Sequence, residues 1–392
     1  MFLRDAAALP LSVATVRSSV TASQTPNNTA QATSQTNDAG RPAGLIIRQK
    51  QPENLEFPFA SLDSLITPDH RFYVRSHFPV PQLERRAHRL RIEGAIARPV
   101  ELSFDDLVKL PSRTLTATLE CAGNNRIFLV PAARGVQWEL GAVGTAEWTG
   151  VPLAAVLEQA GVRPDAVEVV LEGADRGEVS AEPKPAGAIN YARSLPLVKA
   201  LDPDVLLAYR MNNAELTPAH GFPLRVVVPG WYGMASVKWL TRIIVTDRPF
   251  SGYYQTTDYT YWERENNQPV QRPLTVMQLK AEIARPAVSE DVAANTVYRM
   301  HGAAWSGDSE VARVEVSADG GKTWTAARLI DNAIRYTWRR WEYAWHTPAK
   351  PGRHTLMARA TDSRGNAQPA KHDPDRGNYM INFVLPVDVE VR

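Results

Sequence analysis

Ala117-Thr118-Leu119-Glu120-Cys121-Ala122-Gly123-Asn124-Asn125-Arg126 holds the only cysteine of a 392-residue chain and places it at the mouth of a glycine turn. Threonine alternates with apolar side chains over 115–119, the pattern of a half-buried strand, and Gly123-Asn124-Asn125 must then turn the backbone sharply. Cys121 is therefore expected at a strand end beside a loop. By residue type alone a lone cysteine is a small buried hydrophobe. Two neighbours widen the choice: Gly123 lets a large ligand approach the backbone, and Arg126 favours a thiolate or an anion. The residues leave open a core filler, a nucleophile served by a distant histidine, and a ligand for a soft metal.

Composition narrows the class. The length accommodates two or three domains, and 44% hydrophobic residues supply sizeable cores. The 44 basic and 42 acidic residues leave a formal charge of +2, which gives no reason to expect a nucleic-acid partner. One cysteine excludes an internal disulfide, a cysteine-rich zinc site, a cysteine-ligated iron-sulfur cluster and covalent haem attachment. No apolar run approaches the roughly 20 residues of a bilayer span, so no membrane partner is expected. Phe2-Leu3-Arg4, followed by an alanine-rich apolar run, is similar to the latter part of a twin-arginine export signal without the arginine pair. Residues 1–44 read either as the remnant of such a signal, which would make the protein periplasmic, or as a disordered tail on a cytoplasmic one, being rich in Ser, Thr, Gln and Asn over 17–44.

Outward from the cysteine loop, Pro68 to Pro81 is a short apolar run carrying arginines and histidines and ending in prolines, expected as a strand passing into an extended loop. Strands are predicted over 90–94, 167–171, 205–209, 224–228 and 243–246, and helices over 103–111, 153–161 and 194–201. Gly173-Ala174-Asp175-Arg176-Gly177 reads as a polar turn that brackets a carboxylate with glycines. The run 220–240 flanks a buried strand with glycine loops that carry His220, Ser236 and Lys238, donors suited to a phosphate or a pterin-like ring. No Gly-x-Gly-x-x-Gly or phosphate-loop motif follows a strand, which argues against a standard dinucleotide or ATP site. Residues 252–262 form an aromatic-rich loop and 269–273 a linker. Beyond them, closely spaced short strands suggest a β-sandwich, with a hairpin at Asp319-Gly320-Gly321-Lys322 and further strands over 355–361 and 378–385.

Taken together, the chain from about 55 to 385 resembles the sulfite oxidase family of molybdenum enzymes. The likeness rests on Leu119-Glu120-Cys121-Ala122-Gly123-Asn124-x-Arg126, on Phe72-Tyr73-Val74-Arg75-x-His77-x-Pro79-Val80-Pro81, on His220-Gly221-Phe222-Pro223-x-Arg225-Val226-Val227-Val228-Pro229-Gly230, and on Ser236-Val237-Lys238-Trp239-Leu240. It implies an α+β protein: a mixed α/β molybdopterin domain over 45–268 and an immunoglobulin-like β-sandwich dimerisation domain over 269–392. It further implies that Cys121 ligates molybdenum and that Tyr73, Arg75, Ser76, His77, Asp175, His220, Arg225, Ser236, Val237 and Lys238 hold molybdopterin. Arg75, Arg126, Trp138 and Tyr259, with Arg335 from the second domain, would surround the substrate. Guanidinium groups suit sulfite and sulfate, small anions recognised by charge-assisted hydrogen bonds.

The implied reaction is oxidation of sulfite to sulfate by oxygen-atom transfer in a homodimer. With no cytochrome b5 type domain and no covalent haem motif in the sequence, no haem is predicted, and electrons would pass to an external acceptor, a cytochrome c or dioxygen. Two residues depart from the family pattern. Asn125 stands where an arginine commonly precedes Arg126, which removes a positive charge near the cofactor or its access path, and Ser76 stands where asparagine is usual. The rival readings are another oxyanion reaction on this scaffold, such as nitrate reduction, a metal-free binding protein with Cys121 merely buried, and a cysteine hydrolase.

Overall fold

The structure is a computed structural model that describes residues 44–392; the expectations for the amino-terminal tail and export signal lie outside these residues. Among the described residues strands dominate, and α-helix is confined to Phe104–Leu107, Leu153–Ala160, Leu197–Ala200 and Tyr253–Thr256. None of these described helices is long and apolar enough to cross a membrane.

The amino-terminal half is built on two sheets. In one, Arg113–Glu120 pairs antiparallel with Val143–Pro152, which pairs with Leu206–Met211; that strand also takes Ala214–Glu215 and Arg225–Val227. β-branched threonines explain the central pairing: Thr114 bonds Thr149 at 2.7 Å and Thr118 bonds Thr145 at 2.6 Å across the two strands. The strand ends at Glu120, so Cys121 emerges where the pairing stops, and its N–H donates to the Ala142 carbonyl at 2.8 Å. The second sheet orders Val100–Ser103, Arg89–Gly94, Leu240–Thr246, Glu168–Gly177 and Ile189–Pro196, with one parallel pair, Arg89–Gly94 beside Leu240–Thr246.

The carboxy-terminal half is a sandwich. One sheet carries Lys280–Arg285, Val297–Trp305, Arg339–His346 and Arg328–Leu329, and the other carries Asp291–Val292, Val387–Val391, Gly352–Asp362, Val311–Ser317 and Thr325–Ala326. Its inner faces meet through Ile283, Met300, Val314, Trp341, Leu356 and Val389. The core of the amino-terminal half does not stop at the sandwich. Ala303, Trp305, Trp338, Tyr379 and Met380 belong to the cluster that holds Val143, Leu157, Val226 and Leu240.

The helix 153–161 forms as read, with Pro152 at its start and Gly161 in the left-handed region at φ 70° at its end. Other elements differ, each for a local reason. Over 72–75 only Val74 forms a bridge, to Leu55, because Ser76 spends its N–H on the Asn54 side chain. The predicted helix 103–111 keeps only its capped first turn: Ser103 accepts from the Asp106 N–H, and helix ends by Val108. The one predicted over 194–201 begins at Leu197, since Ala192 to Pro196 are taken by pairing with Glu168 to Glu172. Residues 172–177 are not a turn but the continuation of a strand, with a register shift between Glu172 and Arg176. The aromatic stretch forms the helical turn Tyr253–Thr256 and then the strand Thr260–Glu265. The expected linker 269–273 is likewise a strand, Gln268–Pro273, paired with Thr260–Glu265 across Asn266 and Asn267, both at positive φ. Residues 378–385 form no strand; the last one is Val387–Val391.

Candidate functional site

One pocket gathers residues from the distant motifs. Cys121, Tyr73, Arg75, Ser76, His77, Asp175, His220, Arg225, Ser236, Val237, Lys238 and Tyr259 all line it. These positions lie just past the strand end at 120, on the extended segment 73–77, at the bulge at 175, on Arg225–Val227 and its flanking loops, and, for Tyr259, just before the strand Thr260–Glu265.

The segment 73–77 is held by a residue that the sequence did not single out. Asn54, fully buried, accepts from the Ser76 N–H at 2.9 Å and from Arg75 Nη1 at 3.3 Å. Burial alone would lower the Arg75 pKa, but the acidic groups around it, Tyr259 and Cys121 foremost, raise it, so its charge is secure. His77 stacks on Tyr191 at 4.4 Å between ring centres, and its Nε2 lies 2.7 Å from the Tyr259 hydroxyl. Burial, then the Arg75 and Lys238 cations, hold its pKa well below the ordinary range, so the ring is neutral. Tyr259 is shifted the other way, chiefly by burial, and keeps its proton.

At the opposite wall Arg225 is buried over the Trp148 ring at 4.8 Å and donates to the carbonyls of His220 at 3.0 Å and Ser236 at 3.2 Å. Burial brings its pKa down to about 10, still charged at neutral pH. Burial, with Lys238 and Arg225 beside it, takes His220 down to about 3. Lys238 donates to the Ala219 carbonyl at 2.8 Å and reaches Ser76 Oγ at 3.4 Å. Burial drives Lys238 down and Asp175 up, both toward neutrality. The Ser236 hydroxyl accepts from the Val228 N–H at 3.0 Å, which leaves its own proton to donate.

Arg126 and Trp138 do not line the pocket but stand behind it, next to Tyr379 and Tyr73. Arg126 donates to the carbonyls of Asn378 at 3.1 Å and Val136 at 2.8 Å and lies 5.1 Å from the Tyr379 ring centre, while Tyr379 packs on Tyr259 at 5.0 Å. Trp138 is fully buried, edge-on to Tyr73 at 6.5 Å. Arg335 does not join them: it is 72% exposed, paired with Asp204 at 3.3 Å, and lines a different cleft. The second domain reaches the cysteine loop instead through 378–380, where the Met380 N–H donates to the Ala122 carbonyl at 2.9 Å. Asn125 also differs from expectation. Its side chain is fully buried among Lys280 and Glu282 of the second domain and does not line the pocket. No local motif marks Asn54, Tyr379 or Lys280, because each acts across a long separation in sequence.

Among the described residues no group of three or more His, Cys, Asp or Glu side chains is arranged to hold a metal by itself. A metal at Cys121 therefore needs donors from a non-protein ligand, as a pterin dithiolene provides. The residues fit such a ligand. Arg75 and Arg225 present cations to one pocket and Lys238 a further N–H donor, and a buried polar atom that lines it, Asp175 Oδ1, has no partner within the protein. Gly233 also permits a close wall, since a Cβ there would lie 2.8 Å from the Tyr73 hydroxyl.

Comparison with known proteins agrees. Residues 77–254 match the oxidoreductase molybdopterin binding domain and residues 271–382 the Mo-co oxidoreductase dimerisation domain. The chain is 37% identical to sulfite oxidase of Gallus gallus, with 85% of this chain and 74% of that protein covered. It is 35% identical to an NADH nitrate reductase of Ulva prolifera, over 83% of this chain and 41% of that one. It spans 63% of the length of mitochondrial sulfite oxidase from Rattus norvegicus and 60% of that from Drosophila melanogaster. Among solved structures, the sulfane dehydrogenase SoxCD of Paracoccus pantotrophus superposes with a TM-score of 0.75 at 30% identity, covering 87% of both chains. The thiol, the cationic pocket and these matches lead to one assignment: the chain belongs to the sulfite oxidase family of molybdopterin enzymes.

Proposed function

We propose that this protein oxidises sulfite to sulfate, with molybdenum held by Cys121 and molybdopterin held by Arg225, His220, Ser236, Val237, Lys238, Asp175, Ser76, Tyr73 and His77. The observation that carries the reading is the convergence of Arg75, Tyr259 and Cys121 on one pocket whose other wall is the cationic, pterin-suited set. When bound, the metal supplies the two-electron oxygen transfer that no side chain can perform.

The protein's own share is recognition and orientation. Arg75, with its charge secured and two donors held by Asn54 and the Ser76 carbonyl, offers its remaining N–H groups to a sulfite oxygen. Arg126 adds positive field from behind Tyr379, and its two backbone contacts keep the guanidinium from turning away. Tyr259 stays protonated. Its hydroxyl, held by neutral His77, serves as a donor that orients an oxyanion rather than as a nucleophile. Tyr191, Tyr254 and Tyr259 pack together as a buried aromatic wall, a low-dielectric setting that strengthens these interactions.

Electrons leave to an external acceptor, a cytochrome c or dioxygen, and the sandwich over 269–392 pairs two copies of the catalytic half over 45–268. The test is steady-state turnover of molybdenum-replete protein with sulfite and ferricyanide, set against nitrate with reduced viologen. Sulfite turnover is expected; its absence, or preferential nitrate turnover, overturns the reading.

A further inference from the structure

Lys280 begins the first strand of the sandwich, yet it is 1% exposed and its ammonium points into the base of the cysteine loop. It donates to Glu120 Oε1 at 2.7 Å and to Asn125 Oδ1 at 2.6 Å. These two acceptors bracket the turn that carries the thiol, one just before Cys121 and one at the turn's far end. Trp305 Nε1 donates to the other Glu120 oxygen at 2.9 Å, and Asn125 Nδ2 donates to Glu282 at 2.9 Å. Within the loop, Asn124 Nδ2 donates to Glu120 at 3.2 Å. The side-chain partners of Glu120 and Asn125 beyond the loop, Lys280, Glu282 and Trp305, come from the second domain, whereas Asn124 is tied to its own domain through the Leu140 carbonyl and the Ala142 N–H.

The chemistry of residue 125 matches that arrangement. Its backbone is left-handed, at φ 73°, a conformation asparagine tolerates. Its amide both accepts from Lys280 and donates to Glu282, whereas an arginine has no acceptor to offer and would set a second cation against the ammonium. Burying a carboxylate and an ammonium is expensive, and well-packed apolar residues would bind the two domains as firmly. What the ionic pair adds is direction: one ammonium ties both ends of the turn to a single point.

We propose that Lys280 is a positioning residue for Cys121, so that docking of the second domain sets where the thiol is held. The proposal rests on Cys121 being the metal-holding thiol. Its test is independent of turnover, so the two readings fail separately.

The full-length chain is prepared with and without cofactor as wild type, as Lys280→Met, and as Glu120→Gln/Lys280→Met, which removes both partners of the Lys280–Glu120 ion pair. Cys121 is the only thiol, so modification by an aromatic disulfide reports on it alone. In the cofactor-free chain both variants are expected to react about tenfold faster than wild type in the native state, as local opening predicts. In the loaded protein the metal-thiolate absorption is expected to shift, with kcat falling and the sulfite KM changing little. An unchanged thiol rate in both variants, or an acceleration that only follows the globally unfolded fraction across a urea series, overturns the proposal.

Discussion

Arg75 and Arg335 are the same residue type, and both look suited to an anion when read along the chain. Their surroundings separate them. Arg75 is enclosed by Asn54, Tyr259 and Cys121, whereas Arg335 points to solvent beside Asp204. An exposed ion pair of the second kind is worth little. With sulfite bound as proposed, replacing Arg75 by Gln removes an enclosed charge from its pocket, and kcat/KM for sulfite is expected to fall about 100-fold, roughly 2.7 kcal/mol. Arg335→Gln is expected to leave kcat/KM within about twofold, as surface substitutions do. Steady-state kinetics on both variants check the contrast. The motif around Arg75 was legible because its spacing to His77 and the prolines is local. The exposure of Arg335 was not, because nothing near it in sequence states which surface it meets.

At the level of elements, the strand leading to the thiol is buttressed from both domains. Thr118 bonds Thr145 within its own sheet, accepts from the Trp338 N–H at 2.8 Å, and donates its own N–H to the Tyr336 carbonyl at 2.8 Å. Thr118→Val keeps the shape but leaves the Trp338 N–H without its acceptor in a dry core, a loss of about 1–3 kcal/mol. A lower urea midpoint with an unchanged slope is the expected result. The same scale explains which elements were readable. Alternation predicted the strand around 115–119, and Pro152 with Gly161 predicted a helix. The hairpin around Asn266-Asn267 carried a usable signal, a pair of left-handed-tolerant residues between alternating segments, yet its prolines suggested a linker. Asp175 offered no such signal. Its aim depends on a register shift against Asn190, which is a property of the pair and not of either strand.

For the whole molecule the two halves share buried charge as well as core. Burial is the main reason that the Glu282 pKa is raised from 4.5 to about 7. Between those values the folded protein holds a proton that the unfolded chain has released. The associated stability is therefore complete below pH 4.5 and lost as pH rises through 7. Each pH unit in that window is worth at most about 1.4 kcal/mol. Urea midpoints should fall between pH 5 and 7.5 in the wild type, and Glu282→Gln should flatten the fall. An equal slope in both proteins would remove Glu282 as its source.

From sequence alone followed the parts that depend on short spacing: a thiol at a strand end, cationic motifs with phosphate-suited donors, a sandwich at the carboxy terminus, and the family these resemble. Asn125 shows where that reading stopped. It stood out as a missing charge near the cofactor, and the fold turned it away from the pocket to meet Lys280 and Glu282, at least 155 residues further along the chain. Only the tertiary structure decides such contacts, because burial and charge pairing depend on which surfaces meet. A backbone turn or a strand period is set by the residues inside it.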